Sequence, residues 1–140
     1  MAFTVRFPIR FDHVDHARLV YFPRFFGFCH DAFDDFFGAE LGLSYAQFIE
    51  SRQVGFPVVH AESDFKQPFR FGDLSRLEME TLKVGTGSAT HRYRFYLGDQ
   101  SLVRAEVRII TAAVQMEPFG PTVVPDEVRA AFDRHLAQTA

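Results

Sequence analysis

Tryptophan is absent from this chain, and cysteine occurs once, at Cys29. A lone cysteine excludes an internal disulfide and a cysteine-built zinc cluster, and it fits a reducing compartment. An excess of basic charge is also missing. Fifteen Lys and Arg against 18 Asp and Glu give a net charge of −3 and a pI near 6.0, which argues against a nucleic-acid binder. No apolar run approaches the roughly 20 residues of a bilayer span. The N-terminus alternates apolar and polar residues where a signal peptide would carry a continuous apolar core. Repeats, low-complexity tracts and linkers are absent. The expectation is one cytoplasmic domain over residues 1–140, with no membrane and no nucleic-acid partner.

What the chain does have is phenylalanine, 18 residues in 140. Phe has no polar tip, so it suits dry cores, subunit contacts and apolar pockets. Phe3, Val5, Phe7, Ile9 and Phe11 alternate with Thr4, Arg6, Pro8 and Arg10, the period of a strand with one buried face. Pro8 lacks an N–H, which gives that strand an edge position or an unpaired stretch there. Pro23 suits the first helical position. Behind it run two adjacent apolar stripes, Phe25, Cys29, Ala32, Phe36 and Phe26, His30, Phe33, Phe37. Together they predict a helix wrapped on several sides, with Gly38 as its stop. Ser44 and Gln47 read as a capping box opening a short second helix.

From Gly55 onward the pattern is that of strands. They are Val58 to Phe65, a second led by Leu77 and Met79, then Ala89 to Leu97 and Val103 to Thr111. Turn residues stand at Pro68 to Asp73, at Gly85-Thr86-Gly87-Ser88 and at Gly98-Asp99. Pro125 then opens an amphipathic helix over Asp126 to Leu136, with Val128, Phe132 and Leu136 inward. Strands run together with segregated helices predict an α+β domain, an antiparallel sheet of about five strands wrapped around a long apolar central helix.

The segment Phe11-Asp12-His13-Val14-Asp15-His16-Ala17-Arg18-Leu19-Val20-Tyr21-Phe22-Pro23-Arg24-Phe25 resembles the motif of hotdog-fold acyl-CoA thioesterases of the 4-hydroxybenzoyl-CoA thioesterase type. The likeness continues through Pro57 to Phe71, Gly72-Asp73 and the 85–88 turn. It implies that Asp15 is the essential carboxylate and that the backbone N–H of Phe22 polarises the thioester carbonyl. It puts His30, on the helix, where it can sense the acyl group. His16 beside the carboxylate, and Arg18 and Tyr21 in the same segment, are further candidates for substrate contact. Arg18 stands where the motif usually has glycine. The basic residues that some relatives carry at the 85–88 turn for CoA phosphates are missing. The implied substrate is an acyl-CoA or an acyl-carrier-protein thioester, CoA entering as part of the substrate. No resident cofactor and no metal are implied. A homodimer or homotetramer is expected.

Elementary chemistry agrees. A thiolate whose acid has a pKa of about 8.5 leaves without obligatory protonation. Free N–H groups at a helix start can hold the oxyanion. Pro23 cannot donate, which leaves the N–H groups of Phe22 and Arg24. A carboxylate can attack the carbonyl or activate water, and the residues do not choose between these roles. Asp15 read alone is a turn or cap residue. A metal held by His13, Asp15 and His16 would need an irregular turn, since on a strand residue 16 points away from 13 and 15. Two other functions stay open: a hotdog dehydratase or hydratase using a histidine with Asp15, and a non-catalytic acyl-binding module.

Overall fold

Alternation along the chain becomes one antiparallel sheet, and the phenylalanine stripes become the helix it wraps. The computed structural model describes residues 1–138. In chain order the elements are β1 (Phe3–Pro8), α1 (Arg24–Leu41), α2 (Tyr45–Arg52), β2 (Val54–Gly55), β3 (Val58–Phe65), β4 (Leu74–Val84), β5 (Ser88–Leu97), β6 (Ala105–Ala112), β7 (Val114–Met116), β8 (Phe119–Pro121) and α3 (Asp126–Asp133). Five strands pair in the order β1-β4-β5-β6-β3. β1 is therefore an edge strand, one of the two placements that Pro8 allows, and β3 is the other edge.

The two faces of the sheet separate by chemistry. Leu77, Met79, Tyr93, Phe95, Val107 and Ile109 point inward and are buried. Between them, on the outer face, Arg92 pairs with Glu80 at 2.8 Å and Arg94 with Glu106 at 3.1 Å. This is the period-two pattern of a half-solvated sheet. α1 lies across the inner face and buries Phe25, Phe28, Phe33, Phe36 and Phe37 among its 18 residues. Each buried phenylalanine contributes about 2–3 kcal/mol of transfer free energy. Edge-on ring contacts such as Phe25–Phe95 at 5.0 Å add direction to that burial.

Boundaries differ from the sequence reading in several places, among them β6, which begins at Ala105 and not at Val103. The first strand stops at Pro8, and Phe11 begins a 3-10 turn over Phe11–His13 with its ring 79% exposed. Pro23 is the N-cap of α1, which begins at Arg24 and runs through Gly38 to Leu41. Gly42 ends it, at φ +73° with its N–H on Gly38 O, a left-handed cap that glycine adopts without strain. α3 ends at Asp133, and Leu136 is 42% exposed in an isolated parallel bridge to Thr81, so it is not an inward helical residue. A second small sheet, β2-β7-β8, has strands too short to show any period. The capping box forms as expected: Ser44 Oγ accepts the Gln47 N–H at 3.1 Å, and Gln47 Oε1 accepts the Ser44 N–H at 2.9 Å. Among the described residues, no helix is long and apolar enough to cross a membrane.

Candidate active site

Between β1 and α1 the chain folds back on itself. In the 3-10 turn, His13 Nδ1 accepts the Arg10 N–H at 2.8 Å, and the ring sits edge-on to Phe28 at 4.8 Å. His13 is thereby a structural cap and stands apart from the carboxylate of Asp15. A short antiparallel clasp follows. The Tyr21 N–H donates to His13 O at 2.9 Å, Val14 bridges Val20, and the Asp15 N–H donates to Leu19 O at 3.0 Å. At its tip the Arg18 N–H donates to Asp15 O at 2.9 Å, and the Ala17 N–H donates to Asp15 Oδ1 at 2.8 Å. Asp15 is thus an exposed turn former as well as a candidate carboxylate. Arg18 adopts φ +66°, the left-handed region where glycine is at ease and a side chain is strained. The clasp is tied to the sheet side through the Val20 N–H, which donates to Phe69 O at 2.9 Å.

At the helix start the two candidate N–H donors differ. The Arg24 N–H donates to Tyr21 O at 2.8 Å, the Phe25 N–H to Phe22 O at 3.2 Å, and the Phe26 N–H to Pro23 O at 3.2 Å. Arg24 is consequently engaged. The N–H of Phe22 has no acceptor among the described residues. It stands one residue past the base of the clasp whose tip carries Asp15.

Asp15, His16, Arg18, Tyr21 and Phe22 therefore share one loop and the step into α1. His16 and Arg18 are exposed and form no ion pair among the described residues. Tyr21 is half exposed, its ring 5.6 Å from that of Phe22. His30 is apart from this group, two turns along α1. It is exposed rather than a core residue, with its ring 6.1 Å from Tyr45.

Two openings follow the seam between α1 and β3. One, of about 410 Å³, lies beside the clasp and takes Phe22 and Phe25 from α1 and its start, Phe65 from β3, and the neighbouring Lys66. The next, of about 480 Å³, is lined by Phe26, Cys29, His30 and Phe33 of α1 and by Val58 and Ala61 of β3. Tyr93, Phe56 and Thr111 complete the second one. Burial raises the pKa of the Tyr93 phenol well above its ordinary value, with the nearby Cys29 adding to the effect, and burial raises the Cys29 thiol too. Both stay protonated at neutral pH. The sequence reading missed Lys66, Tyr93 and Thr111. A hydroxyl at an inward strand position is the one mark that Tyr93 and Thr111 carry in the sequence, and core packing accounts for it equally well; Lys66, one residue past β3, carries none.

The chain as a whole has counterparts. Residues 9–132 match the family model of the thioesterase-like superfamily. The chain belongs to that superfamily. A 1,4-dihydroxy-2-naphthoyl-CoA hydrolase of Nostoc punctiforme is 27% identical over 91% of this chain and 84% of its own length. One from Synechococcus elongatus is 32% identical over 70% of this chain and 72% of its own. The crystal structure of a 1,4-dihydroxy-2-naphthoyl-CoA thioesterase from Synechocystis superposes with a TM-score of 0.86 at 21% identity, over 95% of this chain and 96% of that one. Like these relatives, the superfamily member described here has the hotdog fold, and its enzyme class is thioester hydrolase.

Proposed function

We propose that this protein hydrolyses acyl-CoA thioesters carrying an aromatic acyl group, releasing the free acid and CoA. The single observation that carries the site assignment is the unengaged N–H of Phe22 at the start of α1, beside the clasp that presents Asp15. A thioester carbonyl accepting that N–H would gain both a fixed donor and the positive end of the helix dipole. Asp15 then acts in one of two ways. As a nucleophile, its carboxylate oxygen bonds to the carbonyl carbon, the C–S bond breaks and the CoA thiolate leaves. Water next opens the resulting anhydride. As a general base, Asp15 takes a proton from the water that attacks. His16, Arg18 and Tyr21, exposed on the same loop, contact the substrate, and His30 borders the acyl end.

An aromatic acyl group is supported by the ring-lined seam between α1 and β3 and by the 1,4-dihydroxy-2-naphthoyl-CoA named for the relatives. β3 leaves Val58, Val59 and Phe65 exposed on an open sheet edge, an arrangement that proteins normally cover. Two copies paired along β3 would cover it and place the seam against the partner subunit. The test is thiol release from a panel of aryl, branched and straight-chain CoA esters, read with a disulfide chromogen. Fast release from the aryl esters is expected. Hydration of an unsaturated acyl chain, or binding with no thiol released, would overturn the reading.

A further inference from the structure

Tyr93 is 2% exposed and lines the larger opening between α1 and β3. Its hydroxyl forms no hydrogen bond with any described residue. A buried phenol normally finds a partner. The other polar side chains of this opening are the Cys29 thiol, His30, Tyr45, whose hydroxyl accepts the Phe56 N–H, and Thr111, and none of them is hydrogen-bonded to it. Thr111, 4% exposed, lines the same opening, and its Oγ1 also lacks a partner. An apolar cavity that keeps unmatched hydroxyl groups in its wall suits a flat apolar ligand bearing a polar substituent.

The opening is also at a useful distance from the chemistry. Phe22, Phe26 and Cys29 follow one another along the same side of α1 and its start. From Phe22 to Cys29 is seven residues, about 10 Å of helical rise. That is the reach of a one- or two-ring aryl group with a hydrogen bond at each end.

We infer that the Tyr93 hydroxyl donates a hydrogen bond to a ring oxygen of the acyl group, and so selects hydroxylated aryl thioesters over bare-ring ones. The inference rests on the thioesterase reading above and adds the residue that sets its acyl specificity. Losing one buried hydrogen bond while leaving its partner unmatched shifts discrimination by about 10- to 100-fold.

The experiment compares kcat/KM for benzoyl-CoA with values for 2-, 3- and 4-hydroxybenzoyl-CoA and for a dihydroxynaphthoyl-CoA, in wild type and Tyr93→Phe. Wild type should favour at least one hydroxylated ester over benzoyl-CoA, and Tyr93→Phe should lower that ratio about 10- to 100-fold. An unchanged ratio overturns the inference. So does a wild type that prefers the bare ring, a result that needs no variant to fold. Absence of thiol release from every ester would instead overturn the hydrolase reading itself, which keeps the two failures distinguishable.

Discussion

Asp15 Oδ1 accepts the N–H of Ala17 at 2.8 Å, so the proposed catalytic carboxylate also closes its own turn. Asparagine keeps a carbonyl oxygen for that bond and loses the negative charge. Asp15→Asn should therefore fold as wild type, with an unchanged thermal midpoint, and lose at least about a hundredfold in kcat. Asp15→Ala should lose the turn as well, and unfold earlier. Wild-type turnover in Asp15→Asn, with mass spectrometry showing no return to aspartate, would refute the assignment.

Phe22 contributes through its backbone in this scheme, while its ring is 58% exposed. Phe22→Ala preserves the N–H and should keep kcat within about tenfold of wild type, any larger effect appearing in KM. A kcat loss approaching that of Asp15→Asn would mean that the ring, rather than the N–H, does the chemistry.

Arg18 at φ +66° gives the family departure at this position a physical meaning. The left-handed conformation costs a side-chain-bearing residue about 1–2 kcal/mol, and glycine returns part of that through its larger entropy loss on folding. Arg18→Gly should accordingly stabilise the protein by about 0.5–1 kcal/mol in urea titrations. Arg18→Val should destabilise it by about 1 kcal/mol or more. If the arginine side chain also meets substrate, Arg18→Gly raises KM while raising stability.

The two glycines near the end of α1 show what could be read from the chain and what could not. Periodicity identified the buried face of α1 and the strand from Ala89 to Leu97, because burial on one side repeats along the element. The Asp15 loop was legible as a motif. Gly38 and Gly42 look alike in sequence, and only backbone geometry separates them. Gly38 lies inside the last turn of the helix with open space where a Cβ would go, while Gly42, just past it, holds φ +73°. Gly38→Ala should stabilise by about 1 kcal/mol, and Gly42→Ala should destabilise by about the same amount. Denaturant midpoints moving in the same direction would contradict this cap assignment. Tyr93 was illegible for a related reason, since its inward position fits core packing equally well and its unmatched hydroxyl appears only when the cavity does.

His91 offers a pH test of the core. Its ring is wholly buried, 4.5 Å from Phe132 and 6.0 Å from Phe33, and neither nitrogen has a hydrogen-bond partner among the described residues. Burial pushes its pKa down from 6.5 to about 3. The folded chain therefore holds this histidine neutral, while the unfolded chain takes up a proton once the pH drops below 6.5. The unfolded state binds more protons between those two values, so stability falls as the pH is lowered through that window. The His91 contribution to the loss between pH 7 and pH 5 is about 2 kcal/mol. His91→Leu has no proton to take up, and its urea-derived stability should drop by about 2 kcal/mol less than wild type over the same interval. Other titrating groups act equally on both proteins and cancel in the comparison. An equal drop in both would show that the ring reaches water or a carboxylate in the folded state, and that the aromatic layer between α1, α3 and β5 is not closed around it.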